Sequence, residues 1–139
     1  MTYATQQDMT DRFGEEELIE LTDRANLGVI DATVLGRALA DADAEINGYL
    51  ASRYTLPLAS VPPVLVAKAS DMARYYLYDM RVTEAVKARY DDAVKYLQSL
   101  AKGLVSLGLD PLNVPVADAG GVQIQANGRV FDAAGLVDY

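Results

Sequence analysis

The chain has 139 residues, 51% of them hydrophobic, and no apolar run near 18 residues, which fits one globular domain and excludes disorder and a membrane-spanning helix. Cysteine and histidine are both absent, which removes disulfides, thiolate zinc sites and Ser-His or Cys-His nucleophiles, so the expectation is a protein that is not an enzyme and holds no cofactor or metal. The net charge of -8 divides into eight acids against two bases over residues 1–31, eight against nine over 32–109 and four against one over 110–139, without the Lys/Arg cluster that gripping phosphate requires.

The opening "MTYATQQDMTDRF" has neither a basic start nor an apolar core, so no secretory signal is read and synthesis inside the cell is expected. Thr5 and Asp8 mark a helix N-terminus, where a hydroxyl caps free amides and a carboxylate meets the positive end of the dipole; Gly14 ends this short helix. Glu15, Glu16 and Glu17 then crowd the first turn of a second short helix reaching Thr22, and "EEELIE" is read as a solvated acidic face.

From Asp31 to Tyr54 the residues Leu35, Leu39, Ala42, Ile46, Tyr49, Leu50 and Arg53 recur every three or four positions, the pattern of a core-facing helix. Gly36 and Gly48 lie inside it at a cost of about 0.5–1 kcal/mol each against alanine, which suggests another backbone passing close by. Asp41, Asp43 and Glu45 superficially match a calcium loop, but Ile46 and Ser52 stand where that loop needs glycine and glutamate, so solvent exposure is expected.

"RYTLPLASVPPVL" separates this helix from the next. Leu56, Val61 and Pro62 each precede a proline and are biased to extended geometry, so Leu56, Pro57, Leu58, Pro62 and Pro63 form a stiff elbow, with Leu56, Leu58 and Val61 available to pin it on the bundle. Pro63 suits the first position of a helix running to Met80 with the stripe Leu65, Ala69, Met72, Ala73, Tyr76 and Met80. Tyr75 and Tyr78 fall on a different side from Tyr76 and are read as packing or an interface. Thr83 caps a last helix with the repeat Val86, Tyr90, Ala93, Leu97, Leu100, Leu104 and Leu107, stopped by Gly108, with Asp91 and Lys95 spaced for an ion pair.

These patterns predict an all-α fold, a small antiparallel bundle of about five helices, three of them long, over residues 1–109. Residues 110–139 carry two prolines and four glycines without helical period, and "VQIQANGRVF" around Asn127-Gly128 is a hairpin signal, so they are read as an extended interaction arm able to form a β-hairpin. Val122, Ile124, Arg129, Phe131 and Tyr139 of the arm, with Tyr75 and Tyr78, are the candidate partner or oligomer interface. An enzyme reading that uses Asp79 and Glu84 as acid and base is the weakest alternative, because both sit at a helix junction where acids are ordinary.

The segments "MTYATQQDMTDRFGEEELIELTDR", "INGYLASRYTLPL" and "ASDMARYYLYD", in this order, resemble the head-tail connector (adaptor) or head-completion proteins of Mu-like phages and prophages. The resemblance covers most of residues 1–107 and extends loosely to Arg129-Val130-Phe131, similar to an Arg-x-Phe element of that family. It implies a virion structural protein, made in the bacterial cytoplasm and located at the neck, which forms a homo-oligomeric ring of about twelve copies under the portal protein. Its further partner would be a tail-completion or tail-terminator protein; packaged DNA would pass through without specific binding, past acidic walls that repel phosphate. The competing reading is a regulatory helical protein-binding module of a prophage acting through the Tyr-rich face and the arm.

Overall fold

The structure, a computed structural model, describes residues 2–108. Five α-helices follow one another: α1 (Gln6–Phe13), α2 (Glu15–Thr22), α3 (Ala32–Leu50), α4 (Pro63–Tyr78) and α5 (Glu84–Ala101), with a single 3-10 turn at Asp79–Arg81. The all-α expectation holds, including three long helices. The arm, with Val122, Ile124, Arg129, Phe131 and Tyr139, lies outside the described residues.

Each helix start is built from local chemistry. Thr5 and Asp8 form a reciprocal capping box at α1, the Asp31 carboxylate accepts from the amides of Thr33 and Val34 at α3, Pro63 occupies the first turn of α4, and the Thr83 hydroxyl accepts from the Val86 amide at α5. Gly14, at φ 92, lets α1 turn directly into α2.

The long helices α3, α4 and α5 pack mutually, α4 antiparallel to the other two, and the α1–α2 hairpin lies across α3 and α4 without touching α5. Leu35, Ile46, Leu50, Leu65, Met72, Leu97 and Leu100 fill the centre, joined by Met9 and Leu18 from the hairpin. The N-terminal strap is tied down by Tyr3, which is buried with its amide donating to Asp43 Oδ1 (2.9 Å) and its hydroxyl to Asn47 Oδ1. Thr22, fully buried, donates to the Leu18 carbonyl (2.7 Å) and accepts from the Asp31 amide (2.9 Å), which couples the end of α2 to the start of α3.

Several expectations are corrected. Helix α3 ends at Leu50, not Tyr54: Ala51 to Arg53 form a turn in which Ala51 and Ser52 are exposed. Tyr54 instead inserts into the core. Gly36 and Gly48 have nothing within 4 Å of an added Cβ and stand on the solvent side, so no backbone approaches them.

Met80 is not core but 94% exposed, since α4 stops at Tyr78 and Asp79, at φ 52, turns the chain away. Helix α5 ends at Ala101, not Gly108. Gly103, at φ 80, closes it with bonds from its own amide to the Leu100 carbonyl and from the Leu104 amide to the Ser99 carbonyl, a Schellman motif. Leu104 therefore leaves the stripe and is 73% exposed, while Leu107 is half-buried. Asp91 pairs with Lys87 (2.9 Å) on the preceding turn rather than with Lys95.

Candidate interaction surfaces

Helix α4 positions the residues singled out for contact. Its buried arc runs through Leu65, Ala69, Met72, Ala73 and Leu77, and the opposite arc, by 3.6-residue periodicity, carries Val64, Ala67, Lys68, Asp71, Arg74, Tyr75 and Tyr78. Every member of that outer arc is half-buried, because α1–α2 rises on one side of it and α5 on the other.

On the α1–α2 side Arg74 donates to both carboxylate oxygens of Glu17, from Nε (2.6 Å) and Nη2 (3.0 Å), while its guanidinium lies 4.4 Å from the centre of the Phe13 ring and 5.8 Å from that of Tyr78. Burial pushes the Arg74 pKa down, and the Glu17 bond and charge outweigh it, leaving the pKa raised. On the α5 side Tyr75 stacks on Tyr90 with centroids 4.1 Å apart, Lys68 lies over the Tyr96 ring at 5.5 Å, and Arg89 is 3.7 Å from Asp71. Burial raises the Asp71 pKa against the pull of Arg89, Lys68, Arg12 and Arg74. Tertiary packing thus gathers four cations around one carboxylate, a cluster spread over 78 positions of sequence from Arg12 to Arg89.

Behind this arc, Tyr76 and Tyr90 both donate their hydroxyls to the Glu45 carboxylate, a bridge joining α3, α4 and α5. Asp43 and Glu45 are therefore structural acceptors rather than solvated acids, and Glu17 likewise is drawn out of the acidic face of α2; Glu15, Glu16 and Glu20 remain exposed. Asp79 and Glu84 are exposed at the α4–α5 junction.

The Tyr–Glu bridge has a pH consequence. Burial, then the Asp43 charge, pushes the Tyr3 hydroxyl up to about 12, and burial followed by Glu45 raises Tyr76 and Tyr90. These groups hold protons in the folded state that the unfolded chain releases near pH ~10, so their contribution is complete below that value and is lost as pH rises from there through the raised folded values. Urea titrations across the alkaline range will show a falling midpoint, and Glu45→Gln will flatten the fall because it removes the charge that opposes tyrosinate at two of the three positions. An unchanged slope in that variant would contradict the bridge.

The elbow packs as a unit. Leu58 is buried, Leu56 and Val61 lie against the core, and the Tyr54 hydroxyl accepts from the Leu107 amide at 3.1 Å. The Leu56–Pro57 peptide is cis. Gly103 rests on the Arg53 guanidinium, where any Cβ would collide.

The two ends of the bundle expose apolar side chains. At the end where α3 begins, Asp23 accepts from the amides of Leu27 (2.9 Å) and Gly28 (2.6 Å), bracing a loop from which Leu27 (73%) and Val29 (56%) project; Met80 is exposed at this same end, and a cleft of about 470 Å³ lined by Glu20, Asp23, Asn26, Tyr78 and Arg81 lies there too. At the opposite end Leu104 and Val105 are exposed. The periodicity of α4 placed Tyr75 and Tyr78 together on the outer side, but nothing in the sequence marks the loop residues Leu27 and Val29 as displayed.

The family defined on bacteriophage Mu Gp36 matches residues 3–126 of this chain. The chain belongs to the phage Mu Gp36 family. It is 35% identical over 133 residues to gene product J of Escherichia phage Mu, covering 94% of both chains. It is also 31% identical over 129 residues to the Mu-like prophage FluMu protein gp36 of Haemophilus influenzae, covering 93% of this chain and 92% of that one. The Gp36-family match spans the whole helical body after Thr2, so elbow, outer arc and both apolar ends lie within it. Among the described residues of this Gp36-family chain, no helix is long and apolar enough to cross a membrane.

Proposed function

We propose that this protein is a structural head-tail connector, a ring-forming adaptor that sits between the portal protein and a tail-completion or tail-terminator protein and adds no chemistry of its own. The observation that carries the reading is the placement of exposed apolar residues at opposite ends of one body: Leu27, Val29 and Met80 at one, Leu104 and Val105 at the other, separated by roughly 28 Å, the length of α3. A connecting subunit needs one contact surface facing each neighbour, and exposed large apolar groups are what such surfaces are made of. Membership of a phage Mu family supplies the biological setting.

Ring closure requires a front surface of one copy to meet a different back surface of the next. The outer arc of α4 and the arm beyond residue 108 are the candidates for those lateral contacts. Mixing the purified protein with its portal and imaging the product by cryo-electron microscopy is expected to give a ring on the portal, and tailed particles are expected to carry this chain at the neck. A neck without density for the chain, or a stable one-to-one complex with a host protein and none with portal, would replace the connector reading with a regulatory one.

A further inference from the structure

The α1–α2 hairpin and α5 lie on opposite sides of the α3–α4 pair, since the hairpin touches α3 and α4 but not α5. Their charges differ: α1 and α2 together carry six acids against one base, and α5 carries three against three. On the hairpin side a cleft of about 500 Å³ has Phe13, Glu15, Glu16, Glu17, Glu20 and Tyr78 in its walls. Glu17 is held by Arg74, whereas Glu15, Glu16 and Glu20 are exposed and form no ion pair among the described residues.

The chain itself shows what such walls hold. Arg74 lies 4.4 Å from the centre of the Phe13 ring and 5.8 Å from that of Tyr78, with both oxygens of Glu17 accepting from it. The cleft continues the same chemistry outward to Glu16 and Glu20, two like charges one helical turn apart whose repulsion a cation relieves. It therefore fits a second guanidinium. On the opposite side of the body, Arg89 offers one: its side chain is 62% exposed, its ion pair within the chain is a single contact of 3.7 Å to Asp71, and exposed Ala85 and Ala88 leave it room to project.

We propose that Arg89 of one copy enters the cleft beside Glu16 and Glu20 of the next, a head-to-tail contact between copies of this chain; the inference rests on the ring reading given above. Height along the bundle supports it. A closed ring relates its copies by rotation alone, so the two mating surfaces must stand at the same level, whereas an offset between them builds an open helix. Asp71, which Arg89 meets, and Arg74, which Glu17 meets, are three residues apart on α4, roughly 4.5 Å along its axis. Arg89 and the cleft are thus level to within one turn. Lys95, the next exposed cation on α5, is displaced by roughly 9 Å from Arg89 and would step each copy past the last.

The chain has no cysteine, so introduced thiols report contacts between its copies without background. Full-length Glu15→Cys and Ala85→Cys variants, mixed in the presence of portal, are expected to form the mixed disulfide at least about fivefold faster than Ala40→Cys, exposed on α3, mixed with Ala85→Cys. Arg89→Gln is expected to weaken ring formation about tenfold in protein concentration and Lys95→Gln to leave it unchanged, with circular dichroism confirming the fold of each. Exchanging the charges, Arg89→Glu together with Glu16→Arg and Glu20→Arg in one chain, is expected to restore assembly that Arg89→Glu alone abolishes. Wild-type rings on the portal that tolerate Arg89→Gln, or equal disulfide rates for the two mixtures, overturn this contact and leave the connector reading standing. Disulfides that form only between two Glu15→Cys chains or two Ala85→Cys chains overturn it in favour of a symmetric dimer. Front-to-back disulfides without any wild-type ring on the portal uphold the contact and overturn the ring.

Discussion

Leu97→Ala and Leu100→Ala will each lower the stability of the body by about 2–5 kcal/mol, read as a reduced urea midpoint with an unchanged slope. Both side chains are fully buried, on the stripe that α5 presents to α3 and α4. Truncation to alanine removes about three methylene equivalents of burial and leaves a cavity, because close-packed helices collapse only in part. Domains of this size have about 5–15 kcal/mol in total, so either substitution consumes a large share and both together unfold the chain. A loss below about 0.5 kcal/mol would mean the stripe faces solvent. Leu104→Ala, on the same sequence repeat but 73% exposed, serves as the internal control and is expected to stay within about 0.5 kcal/mol.

The second large effect is functional. Deleting residues 110–139 should leave the helical body folded, since the buried stripes of α3, α4 and α5 are complete by Leu100, and should abolish assembly on the portal. Circular dichroism and urea titration will show a transition within about 1 kcal/mol of the full chain, whereas ring formation by electron microscopy will be lost. Unfolding of the truncated chain would make the segment part of the core. Retained rings would leave lateral contacts to the helices alone.

Much of the helical body is legible from local chemistry. The capping box at Thr5, the break at Gly14, the Asp31 and Thr83 caps and Pro63 at the start of α4 are decided within three or four residues, and the structure places each where the residue types require. The apolar repeats likewise identify Leu35, Ile46, Leu65, Met72, Leu97 and Leu100 as core. Helix C-termini are less legible. A periodic apolar residue continues the pattern on paper whether or not a neighbour is there to cover it, and Met80 and Leu104, which continue their stripes in the sequence, are exposed beyond the ends of α4 and α5.

Acid placement shows the same limit. Glu17, Asp43 and Glu45 sit in runs that read as solvated charge, yet each accepts a hydrogen bond from a residue at least 31 positions away. No spacing rule reaches that far, because the partner is set by how the helices cross. The four cations around Asp71 are invisible for the same reason: Arg12, Lys68, Arg74 and Arg89 come from three helices and converge only when α1–α2 and α5 close on the two flanks of α4.

What the sequence by itself determined is the set of helices, their starts, the proline-rich connector between α3 and α4 and the buried stripe of each long helix, together with a composition without cysteine or histidine. These follow from propensity, capping and periodicity, which act over one or two turns. Tertiary structure alone decided where α3, α4 and α5 end, which acids are structural, that Leu27, Val29 and Met80 stand at the end opposite Leu104 and Val105, and that Arg12, Lys68, Arg74 and Arg89 act on the charge of Asp71. Those outcomes depend on which surfaces packing leaves uncovered, a property of the assembled bundle and of no single segment.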